Sequence, residues 1–544
     1  MPIINLKTGD ESYRVEFTAG LSLRDILDKS KHRVRTACLG QGACGLCKVR
    51  IETSDLPVVS SAERLHIPEQ QLAAGVRLAC QIKPQHDLQL TILNPAPVSN
   101  WTSTSRWKTF HWNTNTQSET RSSPITIPAR VHHPLAIAID IGTTNIRIAI
   151  IDLKQNQWIA MCRGANPQGS NGADVLSRIS VASESDINRQ KLSQQVVNAT
   201  GEALHEIAQQ QGIDLQRVIH AELVANTAML ALMTGDAAQR LLQPKYWLAA
   251  LECYPVETKS WIKIWGLHDQ ATIHLVQPLA GFVGSDLIAG LLATHLIQLQ
   301  APALLVDFGT NSELALWDGK NLNVTSAAGG PAFEVSGYSS GMPAEKGAIF
   351  RVRYKPDNRL HYQVINDEAA IGICGSGLVD LIARLREHGQ LSIGGRFIGK
   401  NFFEFPDNIE SSNKNTDKSL KLTHQDIDNL QQAKAAIAAA IEILCQHSQI
   451  SARQIQRIYI TGEFGRYLDT QSACAIGLLP PVCADKIELF AEAPLLGCTD
   501  LILNTETAEQ LKLIRQKAQL INLALEPEFE MLFVKNLYLR PLHD

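Results

Sequence analysis

The chain carries the stretch AIAIDIGTTN at residues 136–145 and a second stretch, LLVDFGTN, at residues 304–311. Each runs from an apolar strand pattern into an Asp-x-Gly-Thr turn, and a further apolar run follows at 146–152 and 312–319. A dinucleotide-binding fold would instead pass from its glycine-rich turn directly into a helix. The pattern therefore predicts two β-hairpins, which indicates a duplicated domain with a cleft between its halves.

Each hairpin turn offers two groups that a nucleoside triphosphate needs. The Asp at the strand end, Asp140 or Asp307, supplies a carboxylate for hydrated Mg²⁺, and the turn supplies backbone amides for phosphate oxygens. A third glycine-bearing turn, 462–465, follows a later strand pattern at 457–461. A plain β-hairpin would explain any one turn, but the three in this order favour a nucleotide site.

This order of turns resembles the ATPase superfamily of acetate and sugar kinases, heat-shock proteins and actin. The resemblance implies a duplicated RNase H-like fold that binds ATP and Mg²⁺ between two lobes. It identifies 140–145 as phosphate-1, 307–311 as phosphate-2 and 462–465 as the adenosine loop, with 281–286 and 496–500 as the connecting segments. The residues expected to hold the nucleotide are Gly142, Thr143, Thr144, Asn145, Gly309, Thr310, Asn311, Gly462 and Gly465. The adenosine loop has Glu463 and Phe464 between its glycines, where the superfamily usually has paired glycines.

Four carboxylates are the candidates for the catalytic centre of this ATPase. Asp140 and Asp307 are expected to position Mg²⁺. Glu313 and Glu463 are candidates for orienting the attacking water, although a Glu on a strand is more often a solvent-facing residue.

Four of the eleven cysteines are regularly spaced: Cys38, Cys44 and Cys47 form a C-x5-C-x2-C run, and Cys80 follows at a distance. Four thiolates, three of them on a glycine-rich loop, can surround a 2Fe-2S cluster, because glycines let backbone amides turn toward the sulfurs. A zinc site usually has two C-x2-C pairs or histidines, and buried unligated cysteines need no spacing. The pattern favours 2Fe-2S ligation and resembles the adrenodoxin-like branch of the ferredoxin fold, a β-grasp.

Residues 1–95 are expected to form this ferredoxin-like domain. A helix is predicted at 22–29 with Ser22 as its N-cap. Alternating apolar residues predict three strands, at 14–17, 49–52 and 88–92. Lys31, Arg33 and Arg35 precede the cysteine loop and form either a solvated face or a basic rim that docks an acidic redox partner.

The rest of the chain divides by composition. Residues 96–132 are rich in Ser, Thr, Asn and Gln, which predicts a linker whose reach, if flexible, is about 30 Å. Residues 133–222 are expected to form a first ATPase-like lobe and residues 223–544 the main ATPase domain. Four aromatic residues in the linker either dock it onto a neighbour or lie on a mobile tether: Trp101, Trp107, Phe110 and Trp112.

The overall composition excludes several classes of protein. With 50 Lys and Arg against 54 Asp and Glu in 544 residues, the chain has no basic excess for a nucleic-acid backbone. It has no apolar run of membrane-spanning length and no signal-peptide pattern, so we expect a cytoplasmic protein. Its cysteines are too sparse and uneven for a secreted disulfide scaffold.

A ferredoxin domain joined by a linker to this ATPase resembles the reductive activators of corrinoid-dependent enzymes. Blocks similar to that family lie at 166–179, 226–229, 328–334 and 372–380, although Val335 stands where the family commonly has Gly. The resemblance implies that the cluster passes an electron to an inactive Co(II) corrinoid protein or corrinoid methyltransferase and restores Co(I), with ATP driving the uphill step. It also implies a homodimer and an upstream electron donor, such as a reductase, a ferredoxin or a flavodoxin. The region 329–340 is either a corrinoid-facing loop or a structural turn.

Three other functions remain to be weighed against this one. One is ATP-driven electron donation to another low-potential enzyme, as in activators of 2-hydroxyacyl-CoA dehydratases, which hold a 4Fe-4S cluster at a subunit interface. Another is a small-molecule kinase with a regulatory cluster, which would phosphorylate a hydroxyl substrate. The third is a flavin subunit of a Na⁺-translocating quinone reductase, which is disfavoured because no flavin or nicotinamide domain follows the ferredoxin domain.

Overall fold

The fold is described from a computed structural model of the chain. The described residues are all those outside positions 1, 9–10, 29, 31, 36–41, 43–44, 54–55, 96–100, 104–124, 129–130, 173, 236–237, 256, 310, 330–332, 334–337, 358, 406–419, 491 and 543–544. Trp107, Phe110 and Trp112 of the predicted linker lie outside them, as do Cys38, Cys44 and Thr310.

The described residues form a succession of strands and helices with the following bounds. The strands are β1 (Ile3–Thr8), β2 (Glu11–Glu16), β3 (Lys48–Ile51), β4 (Val76–Leu78), β5 (Leu88–Ile92), β6 (Thr102–Ser103), β7 (Leu135–Ile141), β8 (Asn145–Asp152), β9 (Gln157–Ala165), β10 (Val218–Ala225), β11 (Thr272–Leu275), β12 (Ala303–Phe308), β13 (Ser312–Trp317), β14 (Leu322–Ala327), β15 (Ala348–Tyr354), β16 (Leu360–Val364), β17 (Gly372–Ile373), β18 (Phe402–Glu404), β19 (Lys421–Thr423), β20 (Arg457–Thr461), β21 (Ile487–Leu489) and β22 (Ala518–Leu520). The helices are Leu23–Asp28, Ser61–His66, Glu69–Ala73, Val175–Glu184, Asp186–Gln211, Thr227–Thr234, Thr258–Trp265, Ser285–Ala293, Gly375–Glu387, His424–His447, Gly462–Gly465, Thr470–Ala475, Ala493–Leu503, Glu506–Lys517 and Phe529–Lys535. None of these helices combines the length and the apolar character that crossing a membrane requires.

The N-terminal domain is a β-grasp, as the sequence predicts. Its five strands lie in the order β2-β1-β5-β3-β4, with β1 and β5 parallel and the outer pairs antiparallel. Ser22 caps the helix Leu23–Asp28 by accepting a hydrogen bond from the Asp25 amide at 3.1 Å. Leu23 and Leu27 of this helix are fully buried in a core that they share with Leu90 of β5.

The predicted duplication is present in the sheet topology. One sheet has the strand order β11-β10-β7-β8-β9-β6 and the other has β21-β20-β12-β13-β14-β22. In each, an antiparallel meander, β7-β8-β9 or β12-β13-β14, pairs in parallel with a later strand, β10 or β20. Strands β7 and β13 are buried on both faces, which explains their almost continuous apolar runs. We call the regions around the two sheets the first lobe and the second lobe.

Three sequence expectations need adjustment. The division expected between residues 222 and 223 falls inside β10, and the first sheet continues to Leu275 of β11, so we propose a boundary between the lobes after that strand. The apolar pattern at 286–299 predicts one continuous helix, but the helix ends at Ala293, because His295 takes a left-handed backbone conformation with φ of +50°. Within the predicted linker, β6 pairs with β9 and the buried Trp101 lies over Gly164, so this part docks onto the first lobe.

Two helices each pack against the sheet that is not the one preceding them in the chain. Ser285–Ala293 follows the first sheet in the chain but packs into a core with Leu305 of the second sheet. Ala493–Leu503 follows the second sheet but packs against Ala136 and Ala138 of the first. The two helices cross so closely that a Cβ at Gly497 would lie 1.9 Å from the Ala289 carbonyl oxygen. A glycine is therefore required where the lobes are joined.

Replacing Gly497 with alanine should destabilise the protein, because the added methyl group forces the two crossing helices apart. Overpacking of this kind costs about 1–3 kcal/mol, which denaturant unfolding of the metal-free protein would measure. The matched control is Gly290→Ala in the neighbouring helix, where a Cβ would meet Leu305 at an ordinary 3.4 Å and should be neutral or stabilising. Equal unfolding free energies for the two variants would contradict the close crossing.

Candidate functional site

The two hairpins bring Asp140 and Asp307 to the same interior space, one from each lobe. Asp140 is 3% exposed and Asp307 is half-buried. Burial raises the pKa of Asp307, and the charge of Asp140 raises it further. Their partners across the hairpins differ: Asp140 lies opposite Arg147, whereas Asp307 lies opposite Glu313. The first hairpin thus pairs opposite charges, and the second sets two acids against each other.

A chain of ion pairs leads from the first hairpin across the cleft. Arg147 Nη1 donates to Asp140 Oδ2 at 2.8 Å, and its Nε lies 3.5 Å from Glu492 Oε2. Glu492 immediately precedes the helix Ala493–Leu503, and its other oxygen accepts from Arg466, which follows the adenosine loop. Burial raises the pKa of Asp140, and Arg147 opposes that effect. These ion pairs were not predicted from the sequence, although the register of the predicted hairpin is enough to place Arg147 opposite Asp140.

Around Asp307 the site is strongly acidic. Asp286, at the start of the helix Ser285–Ala293, lies near enough to Asp307 and Glu313 for their charges to interact; Glu313 is buried, and Asp286 and Asp307 are half-buried. Burial, together with repulsion from nearby acids, raises the pKa of Asp307 to about 6 and those of Asp286 and Glu313 well above their usual values. Glu313 accepts from the Gly284 amide through Oε1, and its Oε2 has no hydrogen-bond partner among the described residues. Among the described residues no three such side chains lie close enough to enclose a metal ion by themselves, but carboxylate oxygens are the donors that Mg²⁺ takes one or two of beside water and nucleotide phosphates.

Two of the predicted nucleotide turns are so tight that they require glycine. The Gly142 amide donates to the Asn145 carbonyl at 2.9 Å, and a Cβ at Gly142 would lie 2.8 Å from that oxygen. Gly462 has φ of +85°, and a Cβ there would lie 2.4 Å from the Phe308 carbonyl oxygen. This contact joins the adenosine loop to the end of β12. The Glu463 side chain and Thr310 lie outside the described part of the site.

The remaining predicted phosphate-binding residues differ in exposure. Thr144 and Asn311 are exposed, and Gly309 and Asn145 are half-buried, whereas Gly465 is buried. Thr143 is also buried, and its hydroxyl oxygen accepts from Asn226 at 3.0 Å. The Thr143 side chain therefore contacts protein, and its backbone is the part available to a phosphate.

Of the four predicted cluster ligands the structure describes Cys47 and Cys80, which lie on neighbouring segments of the ferredoxin domain. Strand β3 follows Cys47 and pairs with β4, and the Ala79 amide donates to the Cys47 carbonyl at 2.8 Å. Gly45, beside them, has φ of +65°, and a Cβ there would lie 2.7 Å from His66. Two thiols on adjoining segments beside a loop that only glycine can form fit a 2Fe-2S cluster.

A cluster-binding ferredoxin domain followed by a two-lobed ATPase of the actin and sugar-kinase type is the class of protein that this geometry defines. Comparisons with known proteins agree. A model of 2Fe-2S iron-sulfur cluster binding domains matches residues 8–85. A model of the RACo middle region matches residues 135–299, and one of the C-terminal domain of RACo, the ASKHA domain, matches residues 301–543.

The chain therefore belongs to the RACo family, the reductive activators of corrinoid proteins that its sequence resembles. It is 29% identical to the corrinoid activation enzyme RamQ of Eubacterium limosum over 422 residues, which cover 74% of this chain and 69% of that protein. It is 25% identical over 418 residues to the Co(II) methylated amine-specific corrinoid protein reductase of Methanosarcina barkeri, covering 70% of this chain and 72% of that one. Its fold is similar to a solved reductive activator for corrinoid, iron-sulfur protein, with a TM-score of 0.66 at 24% identity and 99% coverage of both chains.

The raised pKa of Asp307 predicts a pH-dependent stability of the metal-free protein. In the folded state Asp307 has a pKa of about 6 and holds its proton up to that pH, whereas in the unfolded state it releases the proton near the usual aspartate pKa of 3.8. Folding therefore becomes less favourable as pH rises through this window, by about 3 kcal/mol for Asp307 alone. Asp307→Asn cannot ionise, so its unfolding free energy relative to wild type should rise between about pH 4 and pH 6.

The control for this experiment is Asp318→Asn, in the turn at the far end of β13. Amides of Lys320 and Asn321 donate to Asp318 and lower its pKa despite some burial. That variant should become relatively less stable as pH rises, which is the opposite sign. A pH-independent difference between Asp307→Asn and wild type would contradict the buried acidic site.

Proposed function

We propose that the protein is an ATP-dependent reductive activator that passes one electron from its ferredoxin domain to a corrinoid protein in the inactive Co(II) state, restoring Co(I). The observation that carries this proposal is the union, in one chain, of a cluster-binding domain with a cleft whose buried acids come from both lobes. The relatives named as a corrinoid activation enzyme and a corrinoid protein reductase support the same assignment.

The acidic cleft suggests how ATP enters this function. Asp307, Asp286 and Glu313 repel one another when ionised, and a divalent cation carried by ATP would relieve that repulsion. Asp140 belongs to the other lobe, so a cation that it shares with Asp307 would favour one separation of the lobes. We assign cation positioning to Asp140 and Asp307 and propose that Glu313 and Glu463 orient the attacking water.

The energetics make an ATP requirement reasonable. A 2Fe-2S cluster supplies single electrons, and Co(II) in a corrinoid is hard to reduce, so the transfer is uphill. Each 59 mV of deficit in a one-electron step costs about 1.4 kcal/mol. Lobe closure and reopening during ATP turnover provide a conformational change that such a step can use.

The direct test mixes the reduced protein with a Co(II) corrinoid protein, with and without Mg-ATP, and follows Co(I) by its absorbance. Co(I) should form only with Mg-ATP, and free phosphate should be released faster when the corrinoid protein is present. Asp140→Asn should abolish both while leaving the cluster spectrum intact, because the carboxylate belongs to the first-lobe hairpin and not to the ferredoxin core.

Asp318→Asn is the matched control, since it also removes an Asp from a hairpin turn but outside the cleft; its activity should be that of wild type. Phosphate transfer to a hydroxyl substrate, with no stimulation by a corrinoid protein, would favour the kinase alternative instead. Absence of ATP-dependent Co(I) with every corrinoid protein tried would overturn the proposed function.

A further inference from the structure

The ferredoxin domain touches the first lobe through Arg24. This residue lies in the helix Leu23–Asp28, and its Nη2 donates to the Ser170 carbonyl at 3.1 Å. Ser170 belongs to the loop that connects β9 to the helix Val175–Glu184. Only 7% of Arg24 is exposed, so the contact is a buried one rather than a passing surface encounter.

A second contact joins the ferredoxin domain to the second lobe. Arg35 Nη2 lies 3.6 Å from Glu345 Oε2. Arg35 immediately precedes the loop that carries the first cluster cysteines, and Glu345 lies between β14 and β15. The domain is thus held at two points, one on each lobe.

In each lobe, hydrogen bonds connect the segment that contacts the ferredoxin domain to a predicted nucleotide turn. On the first lobe, Asn166 Nδ2 donates to the Gly142 carbonyl at 2.9 Å, at the beginning of the loop that ends in the Arg24 contact. Arg178, which is 1% exposed, donates to the Thr143 carbonyl at 2.7 Å and to the Gly172 carbonyl at 2.8 Å. The phosphate-1 turn and the Arg24-binding loop therefore share the same two side chains.

The second contact is linked to the adenosine loop in a similar way. Ser376 Oγ donates to the Phe464 carbonyl of that loop at 3.1 Å. Just before Ser376, strand β17 is bonded to the segment leading to Glu345, because the Met342 amide donates to the Ile373 carbonyl and the Ile373 amide to the Ser340 carbonyl. If the adenosine loop moves, it would pull on the segment before Ser376, and that segment is hydrogen-bonded to the one that leads to Glu345.

On the ferredoxin side, backbone hydrogen bonds hold both arginines to the body of the domain. The Leu23 amide donates to the Ile82 carbonyl at 2.7 Å, which ties the helix of Arg24 to the segment that follows Cys80. The Arg35 amide donates to the Asn94 carbonyl at 2.9 Å, at the end of the domain. The face that meets the lobes therefore presents two cationic side chains.

We propose that the ATPase holds its own ferredoxin domain through Arg24 and Arg35, and that nucleotide-driven movement of the two lobes breaks this two-point contact and frees the domain for an acidic external partner. A body attached to both lobes fits only one relative position of the lobes, so closing the cleft must strain or release one contact. While docked, Arg24 and Arg35 are occupied by Ser170 and Glu345 and are withheld from other acceptors. The regulation, though not the docking itself, rests on the proposed function.

Small-angle X-ray scattering of the whole chain tests the contact without any corrinoid protein. Wild type should be compact without nucleotide and expanded with Mg²⁺ and a non-hydrolysable ATP analogue. Without nucleotide, Glu345→Gln should increase the ratio of undocked to docked molecules about two- to fivefold, as loss of an exposed ion pair does. Arg24→Gln should increase it about tenfold or more, because a buried hydrogen bond from a charged group is lost.

The double variant Arg35→Glu with Glu345→Arg should restore the compact form, and it keeps the test valid if Arg24→Gln fails to fold. Arg14→Gln, on the exposed face of β2, should scatter like wild type. Wild-type scattering that does not respond to nucleotide, or Glu345→Gln scattering like wild type, would overturn the docking proposal. Nucleotide-dependent expansion without any Co(I) formation would contradict the proposed function alone.

Discussion

The site depends on one electrostatic constraint: three carboxyl groups that repel one another, one of them buried and two half-buried, lie together where the two lobes meet. Asp307 and Glu313 face each other across a hairpin, and Asp286 approaches them from the start of a helix. Burial keeps water from screening them, so the metal-free protein holds protons that the unfolded chain would release. Under the proposed function, a divalent cation arriving with a nucleotide would displace these protons.

The surrounding architecture connects this constraint to movement. The crossing helices meet at Gly497 without space for a side chain, so they can pivot on each other but cannot approach further. A row of ion pairs links the first hairpin to the residue that follows the adenosine loop; it runs from Asp140 through Arg147 and Glu492 to Arg466. The ferredoxin domain contacts both lobes, so the docking proposal makes the occupancy of the cleft and the position of the ferredoxin domain parts of one equilibrium.

Much of this could be predicted from sequence because local patterns determine it. The Asp-x-Gly-Thr hairpins follow from strand periodicity and turn chemistry, and the cysteine spacing indicates the ferredoxin domain. The role of Asp286 could not be predicted, because its proximity to Asp307 depends on how a helix from one half of the chain packs on the sheet of the other. The Arg24 and Arg35 contacts join residues more than a hundred positions apart, and no short-range pattern encodes them. The boundary expected at residue 222 falls inside β10, because a strand that is buried along almost its whole length shows no break in its apolar run.

The most direct measurement of the central claim is the number of protons released when the cation and nucleotide bind. Preformed Mg²⁺ complex of a non-hydrolysable ATP analogue would be titrated calorimetrically into the metal-free protein near pH 6, in buffers of different ionisation enthalpy. The account predicts release of about one proton or more per site, because ligands must be deprotonated to bind the metal, and a smaller release from Asp307→Asn. Binding without proton release, or equal release from wild type and variant, would contradict it.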